Sequence, residues 1–306
     1  MSQESIYGIV LLNKSSGASS NRALQQVKRL FQAKKAGHTG TLDPLACGML
    51  PICLGEATKF SHFWLDADKR YEAVLQLGQT SSTGDAEGTL SEKKTIPVLD
   101  ASAIEKLLSS FRGTISQIPP MYSALKHQGR PLYEWVRNGH VIERAARTIT
   151  IHRLTLLDFT EDTIRLDVHC SKGTYIRTLA EDIGELLGCG AYLSSLYRIS
   201  VSPFESSPMY TLTELIDLPQ DKLLELVLPV SAALAHVPVK NVVISEAQAL
   251  LQGKKLSCEA GVEQKGIYQL QTDTGQFIGI GEINDDGVLS AKRMLSSELV
   301  GLGRIA

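Results

Sequence analysis

The chain has 306 residues, of which 43% are hydrophobic and 21% charged, as in an ordinary soluble globular protein with room for two domains. No apolar run is long enough to span a bilayer and no basic, cleavable leader is visible, so membrane and secreted classes are excluded and a cytoplasmic protein is expected. The five cysteines are odd in number and lack CxxC spacing, which argues against a disulfide framework and against a zinc site.

The basic residues are unevenly distributed, although the formal net charge is only −2. The segment between Ser5 and Leu42 contains six basic residues and no acid, and residues 120–147 contain five basic residues against two acids. A phosphate backbone responds to local basic surface rather than to net charge. The two clusters therefore favour a nucleic-acid partner, although a solvated helix face is the simpler explanation for either cluster alone.

The first part of the chain alternates strand and helix patterns. The run "IYGIVLL" (residues 6–12) predicts a buried strand. Ser20 or Asn21 then caps a helix that runs to about Lys35 and places two lysines in its last turn, where cations suit the helix dipole. The next predicted elements are a strand at "RYEAVLQLGQ" (70–79), a loop at "TSSTGDAEGTL" (80–90) and a short helix over about 102–111.

The later part of the chain contains an irregular insertion, a strand-to-helix junction and, near residue 238, a change to a mostly β pattern. Residues 118–147 carry three prolines and mixed basic and aromatic residues, which predicts an insertion that packs only partly on the core. Ile164 to Cys170 predict a strand, and a helix after Gly173 places Tyr175 and Arg177 in its first turn, where exposed N–H groups often bind anions or substrates. From residue 238 one short helix and hairpin-forming strands ("TDTG", "NDDG") predict a small, mostly β domain. The pattern of strands and helices as a whole indicates an α+β protein.

The stretch "GHTGTLDPLACG" contains a lone carboxylate, Asp43, directly before a proline. The following proline disfavours helix at Asp43, so a loop is predicted, and an Asp-Pro turn is the plain local explanation. No second acid is nearby in sequence, although a distant residue such as Asp85 could supply one. The chain lacks GxxxxGK[ST], GxGxxG, HExxH and GxSxG motifs, so nucleotide, metal-hydrolase and serine-hydrolase chemistry have no support. A single carboxylate accompanied by tyrosines and an arginine suits a nucleophile or a proton acceptor kept ionised by an adjacent cation.

Four blocks of sequence carry a family resemblance. They are "AGHTGTLDPLACGMLPICLGEATKFS", "DKRYEAVLQLGQ", "QIPPMYSALKHQGRPLYE" and "HCSKGTYIRTLAEDIGELLGCGAYLSSLYRISV". In content and order they resemble the bacterial tRNA pseudouridine synthase B family over nearly the whole chain. The resemblance implies a mixed, mostly antiparallel-sheet catalytic domain over residues 1–237, a thumb insertion over about 120–147, and a PUA-like RNA-binding domain over 238–306.

The same resemblance implies a reaction and its residues. It implies that uridine-55 in the T loop of tRNA is isomerised to pseudouridine by base flipping, without metal or organic cofactor. Asp43 matches the essential aspartate, Arg177 matches the arginine that pairs with it, and Tyr71 matches the tyrosine that stacks on the base. The further substrate-binding positions are His38, Tyr175 and Leu196. The implied partner is the T arm of tRNA, bound by a cytoplasmic monomer that needs no partner protein and no membrane.

Two other functions remain open from the sequence, and one position departs from the family. A tRNA-folding chaperone would use the same RNA clamp with catalysis secondary, and a small-molecule nucleosidase would use the same carboxylate without the basic clusters. The family usually has "DKP" where this chain has "NKS" around Lys14, which puts the rigidity of that loop in question.

Overall fold

The computed structural model of the chain describes residues 6–258 and 264–301. The strands are β1 (Gly8–Lys14), β2 (Ala36–His38), β3 (Cys47–Leu54), β4 (Lys69–Leu77), β5 (Gly113–Gln117), β6 (Lys126–His127), β7 (Arg130–Pro131), β8 (Arg147–Phe159), β9 (Thr163–Cys170), β10 (Ala191–Val201), β11 (Tyr210–Thr211), β12 (Val239–Val242), β13 (Leu256–Ser257), β14 (Gly266–Thr272), β15 (Phe277–Ile283) and β16 (Val288–Met294). The helices are α1 (Ser20–Leu30), α2 (Ala101–Ser109), α3 (Leu132–Arg137), α4 (Ile176–Leu186), α5 (Leu212–Asp217), α6 (Gln220–Glu225), α7 (Ile244–Leu251) and α8 (Ser297–Val300), with 3₁₀ turns at Gly55–Lys59, Ser61–Phe63 and Val230–Leu234.

The strands form one large sheet, one smaller sheet and one hairpin within the described residues. The nine-stranded sheet has the order β11-β1-β3-β10-β4-β9-β8-β5, with β2 beside β3. Its β1–β11 and β3–β10 pairs are parallel and its other pairs antiparallel. The five-stranded sheet has the order β12-β14-β15-β16-β13, and β6 pairs with β7. The α+β class and the mostly antiparallel sheet are thereby confirmed.

Strand β1 is buried on both faces and lies between the two cores of the protein. Val10 and Leu12 lie in the core beneath α1, α2 and α4, whereas Ile9 and Leu11 lie in a second core that includes residues of the five-stranded sheet. A strand buried on both faces has no polar side to present, which is why this segment is continuously apolar. The five-stranded sheet begins at Val239 and packs on the large sheet through this second core. The domain boundary between residues 237 and 238 stays a prediction.

The first helix differs from its prediction at both ends. Its cap is Ser19, which accepts a hydrogen bond from the Arg22 N–H, rather than Ser20 or Asn21. The helix ends at Leu30, so its last-turn cations are Lys28 and Arg29, and the prediction that Lys34 and Lys35 occupy that turn is wrong. The chain reverses at Gln32, whose φ of 51° is left-handed. This reversal lets Phe31 and Ala33 both enter the core, and that burial outweighs continuation of the helix.

The remaining predicted elements lie close to their expected places. The strand over 70–79, the helix over 102–111, the strand over 164–170 and the helix after Gly173 correspond to β4, α2, β9 and α4. The "TDTG" and "NDDG" turns join β14 to β15 and β15 to β16. Among the helices of residues 6–258 and 264–301, none has the length and apolarity that a membrane crossing requires.

Candidate active site

A cavity of about 330 Å³ opens between the large sheet, the Asp43 loop and the thumb insertion. Five parts of the chain line it: the loop Gly40–Asp43, strand β4 (Lys69, Tyr71), thumb residues Ser123–Leu125, the β9–α4 junction Ser171–Arg177, and strand β10 (Leu196, Arg198); Leu65 completes the lining. Because these parts are far apart in sequence, the cavity exists only in the folded chain.

The Asp43 loop is held by backbone contacts and by a buried lysine. The Pro44 carbonyl accepts a hydrogen bond from the Gly17 N–H at 2.8 Å. The Lys14 ammonium is buried and donates to the carbonyls of Ser15, Ala18 and Pro44 at 2.9, 2.7 and 3.4 Å. The "NKS" loop is therefore tied to the Asp43 loop by Lys14 itself, without the proline that the family usually has beside it.

Gly48 fixes where the loop after Asp43 enters the sheet. Its φ is +99°, and a Cβ there would lie 2.3 Å from the Arg198 carbonyl oxygen. A side chain at this position would push β3 away from β10. Glycine thus brings the Asp43 loop next to the strand that carries Leu196 and Arg198.

Arg177 pairs with Asp43, as the resemblance implies. Its Nη2 lies 2.9 Å from Asp43 Oδ2, and its side chain is 5% exposed, whereas that of Asp43 is 39% exposed. The guanidinium also donates to the Thr83 carbonyl at 2.9 Å and to the Tyr122 carbonyl at 2.7 Å. The cation is thus fixed from three sides, and the carboxylate that it holds remains open to the cavity.

A second carboxylate, that of Asp85, forms an ion pair with the same guanidinium. Asp85 is buried, and its Oδ2 lies 3.7 Å from Arg177 Nε. The other oxygen of Asp85 accepts from Thr83 Oγ1 at 2.6 Å and from the Glu87 N–H at 3.1 Å. Asp85, which the sequence left open as a distant second acid, therefore lies on the other side of the guanidinium that pairs with Asp43. Asp85 is removed from the cavity surface, so it orients Arg177 rather than facing a substrate.

The surroundings of Asp43 act on its protonation in opposite directions. Burial raises the pKa of Asp43 above its ordinary value, the Arg177 charge and hydrogen bond oppose this rise, and the charge of Asp85 adds to it. The Lys14 ammonium also lowers the pKa of Asp43. Asp43 is thus a carboxylate whose ionisation depends on two cations and whose basicity exceeds that of a solvated aspartate.

Three of the predicted substrate-binding residues line the cavity, and one does not. Tyr71 projects from β4, Leu196 from β10, and Tyr175 is the N-terminal cap residue of α4. They provide two aromatic rings and one aliphatic side chain around Asp43, which fits a planar base. His38 lies in β2 opposite Ile52 and is not among the residues that line the cavity. Burial, and then the charge of Arg198, lowers the pKa of His38, which favours a neutral imidazole.

Three polar residues at this site were missed by the sequence reasoning. Lys69 and Arg198 are buried in the cavity wall, and Gln117 is buried against the start of α4. Lys69 carried a detectable signal, because it shares the inward-facing parity of Tyr71 and Ala73 in an alternating strand. Arg198 has the same parity as Leu196, whereas nothing in the local pattern distinguishes Gln117.

The thumb insertion contributes both to the cavity and to the surface. Residues Ser123–Leu125 line the cavity, and the β6–β7 hairpin turns at Gln128 and Gly129. Lys126 and Arg130 flank this turn and are exposed. The hairpin therefore presents two cations to solvent while its base is part of the cavity wall.

The chemistry available at this site is acid–base or nucleophilic. Within the described ranges, no group of three or more His, Cys, Asp or Glu side chains is arranged to hold a metal ion. The reactive groups that line the cavity include the Asp43 carboxylate, the two tyrosines Tyr71 and Tyr175, and the buried cations Lys69, Arg177 and Arg198. A carboxylate held by a buried guanidinium next to aromatic rings suits attack on, or proton transfer at, a sugar that carries a planar base.

Comparison with known proteins matches successive parts of the chain to models of one protein family. Residues 28–176 match the model of the TruB family pseudouridylate synthase N-terminal domain, residues 177–235 that of the tRNA pseudouridylate synthase B C-terminal domain, and residues 238–295 that of the pseudouridine synthase II TruB C-terminal region. The tRNA pseudouridine synthase B of Chromohalobacter salexigens is 49% identical over 95% of both chains. That of Yersinia enterocolitica is 47% identical over 97% of this chain and 93% of its own.

Solved structures match the fold at lower identity. A chain from the crystal structure of a Cbf5-Nop10-Gar1 complex has a TM-score of 0.74 at 24% identity, covering 95% of this chain and 86% of that one. A chain from the archaeal box H/ACA sRNP Nop10-Cbf5 complex has a TM-score of 0.72 at 22% identity and covers 98% of this chain and 89% of its own. At these identities the likeness supports the fold, including the C-terminal PUA-like β domain.

Proposed function

Since this chain belongs to the TruB family of pseudouridylate synthases, which are isomerases, we propose that it converts uridine-55 in the T loop of tRNA to pseudouridine. The observation that carries this proposal is the Asp43–Arg177 pair at the cavity. Its carboxylate is 39% exposed beside Tyr71, Tyr175 and Leu196, while the guanidinium is buried. One open carboxylate next to a slot for a planar base is what a uridine isomerase requires.

The reaction exchanges a C–N bond for a C–C bond at the ribose. The bond between ribose C1′ and uracil N1 breaks, and its electron pair leaves with the uracil. The uracil rotates, its C5 bonds to C1′, the C5 proton is lost, and N1 gains a proton, so the atoms balance without any cofactor. Asp43 acts at the ribose either as nucleophile or as proton acceptor, and both roles need the ionised carboxylate that Arg177 and Lys14 favour.

The uridine must leave its stack before the carboxylate can reach C1′. Extruding a base costs a few kcal/mol. Tyr71 and Tyr175 offset part of this cost by stacking, and the thumb cations Lys126 and Arg130 bind the RNA backbone next to the cavity. Base flipping into this cavity is accordingly part of the proposal. We further propose that the protein acts as a cytoplasmic monomer without a partner protein. Residues 1–237 form the catalytic domain in this proposal, and residues 238–306 form an RNA-binding domain.

The test follows tritium release from an unmodified tRNA transcript labelled at C5 of uridine. Wild-type protein is expected to release the label, and a transcript with cytidine at position 55 is expected to release none beyond background. Asp43→Asn changes charge with little change in size, so it is expected to abolish release while tRNA affinity stays within a few fold.

Three results would contradict the proposal. Release that persists in Asp43→Asn would remove the role given to this carboxylate. Tight tRNA binding without release by the wild type would instead favour the tRNA-folding chaperone. Competition by free uridine as strong as that by tRNA would favour the small-molecule nucleosidase.

A further inference from the structure

Two buried cations in the cavity wall have no role in the chemistry described so far. Lys69 is 8% exposed and Arg198 is 1% exposed, and both line the cavity together with Tyr71. They come from neighbouring antiparallel strands, because Tyr71 on β4 lies opposite Arg198 on β10. Both are therefore fixed by the register of the central sheet.

The partners of these two cations are neutral. Arg198 donates from Nε to the Met49 carbonyl at 2.6 Å and from Nη2 to the Gly40 carbonyl at 3.1 Å. Lys69 donates from Nζ to the carbonyls of Leu65 and Ala67 at 3.1 and 2.5 Å. Carbonyl dipoles hold the cations in place but do not neutralise them.

Asp66 and Asp68, the two aspartates whose charges act on Lys69, are engaged with other residues. Asp66 forms an ion pair with Lys172, and Asp68 lies 3.1 Å from the His152 ring nitrogen. Within residues 6–258 and 264–301, no carboxylate forms an ion pair with Lys69 or Arg198. Two positive charges are therefore buried in the cavity wall without a direct ion-pair partner among the described residues.

The cations lie close together beneath the loop that leads to Asp43. Gly40 has a φ of +94°, and a Cβ on it would lie 3.5 Å from Arg198 Nη1 and 3.8 Å from Lys69 Cε. Burial, and then the charge of Arg198, lowers the pKa of Lys69 to about 8. Burial raises the pKa of Tyr71, while the neighbouring Arg198 guanidinium opposes that rise by its charge and a hydrogen bond. The like charges thus destabilise each other, and a nearby anion would relieve this repulsion.

The proposed reaction generates such an anion inside the cavity. When the C1′–N1 bond breaks, the electron pair leaves with the uracil, whose negative charge spreads over N1, O2 and O4. Neither the bound uridine nor the product carries this charge. Fixed cations in a site with little water stabilise a developing charge more strongly than the same cations do in solution.

We propose that Lys69 and Arg198 form an anion subsite that stabilises the uracil anion while it is detached from the ribose. This inference rests on the proposed function. It assigns to both residues an electrostatic action on the base, distinct from the action of Asp43 and Arg177 at the ribose. The competing occupant with the same oxyanion chemistry is a phosphate of the flipped nucleotide, which would be bound before any bond breaks.

The test compares Lys69→Met with wild type under single turnover, using tRNA transcripts that contain uridine or 5-fluorouridine. Fluorine makes the N1 of the leaving base more acidic, so its anion needs less stabilisation by the protein. With uridine the variant is expected to react roughly 100-fold more slowly, the order found when one charge-stabilising donor is lost. With 5-fluorouridine, followed as its loss from nuclease-digested RNA, the defect is expected to shrink to a few fold. The Kd for tRNA is expected to stay within about twofold of wild type.

Further variants separate charge from structure. Lys69→Arg keeps the charge and its donors and is expected to recover most of the rate with uridine. Arg198→Lys is expected to retain more activity than Arg198→Met, and thermal unfolding identifies any variant that fails to fold. Lys94→Met, on an exposed loop away from the cavity, is the matched control and is expected to leave the rate unchanged.

Two outcomes would overturn the inference. An equal rate defect with uridine and 5-fluorouridine would mean that the cations do not act on the leaving base. A rise in Kd with an unchanged single-turnover rate would assign the subsite to a phosphate. Both outcomes presuppose an active wild type, so they are distinct from failure of the proposed function, in which the wild type itself releases no label.

Discussion

Gln117 and Tyr175 are joined by two hydrogen bonds between one side-chain amide and one backbone residue. Gln117 Nε2 donates to the Tyr175 carbonyl at 3.0 Å, and the Tyr175 N–H donates to Gln117 Oε1 at 2.8 Å. Two further bonds follow along the same segments, from Thr178 Oγ1 to the Ile118 carbonyl at 3.5 Å and from Arg177 Nη2 to the Tyr122 carbonyl at 2.7 Å. The start of α4, with its cap residue Tyr175 and with Arg177, is thereby held against the segment that begins the thumb insertion.

Replacement of Gln117 by methionine is expected to lower kcat more than it raises KM. Methionine has a similar length but cannot pair with the N–H and carbonyl of Tyr175, so Arg177 loses its alignment on Asp43. We expect a loss in kcat of roughly 10- to 100-fold, as for a misplacement of about 1 Å at a reacting group. Two unpaired backbone groups are expected to reduce the free energy of unfolding by about 1–3 kcal/mol.

The matched control for this position is Gln76→Met. Gln76 also makes two amide hydrogen bonds, to the backbone and side chain of Asp162, but it lies on the exposed side of β4. It is expected to change stability slightly and kcat not at all. Equal kcat values for Gln117→Met and wild type would show that α4 holds Arg177 in place without this amide.

Asp85→Asn and Arg177→Met are expected to shift the acid limb of the pH–rate profile, measured as the single-turnover rate against pH, in opposite directions. The active form of Asp43 is the carboxylate, so the rate falls as pH drops through its pKa, which burial raises above the ordinary value. The charge of Asp85 raises this pKa and that of Arg177 lowers it, so the limb moves to lower pH in Asp85→Asn and to higher pH in Arg177→Met.

The two variants also differ in the size of their rate loss. Asparagine at position 85 keeps an oxygen for Thr83 Oγ1 and the Glu87 N–H, so the rate at neutral pH is expected to fall only about tenfold. Loss of Arg177 leaves Asp43 without its ion pair, and a fall of about 100-fold or more is expected. Acid limbs that shift in the same direction would contradict the opposing action of the two charges.

Lys14→Met is expected to destabilise the fold and to weaken the ionisation of Asp43. The three carbonyls that Lys14 binds would lose a charged donor, at a cost of about 2–3 kcal/mol in unfolding free energy. Because the Lys14 charge lowers the pKa of Asp43, the acid limb of the rate is expected to move to higher pH. Chemical denaturation and a pH–rate profile measure the two effects separately. Lys28→Met, half-buried in the last turn of α1, is the control and is expected to leave the acid limb in place.

Neutralising the thumb hairpin is expected to weaken tRNA binding in a salt-dependent way. If Lys126 and Arg130 contact phosphates, the double alanine variant loses up to two contacts, and the slope of log Kd against log salt concentration falls by about one to two. The double variant of Lys93 and Lys94, which lie exposed on the loop after β4, removes the same charge and is expected to leave the slope unchanged. Identical slopes for both double variants would place the hairpin away from the RNA.

Local sequence patterns were sufficient to predict the elements whose structure depends on residues close to them in the chain. The alternation of β4, the junction before α4 and the loop at Asp43 follow from period-two burial, a strand end and a proline, all of which act within a few residues. The end of α1 could not be predicted in this way, because the reversal at Gln32 is set by the burial of Phe31 and Ala33 in a core built from distant strands.

The α+β class, the family and five residues of the cavity and its ion pair could be predicted from the sequence alone: Asp43, Tyr71, Tyr175, Arg177 and Leu196. Only the tertiary structure placed Asp85 on the guanidinium, Lys69 and Arg198 in the cavity wall, and Gln117 against α4. Those contacts depend on how β4, β10 and the thumb segment align across separations of many tens of residues. A buried polar group needs a hydrogen-bond or ion-pair partner, and that partner is distant in sequence and becomes a neighbour only when the sheet has formed.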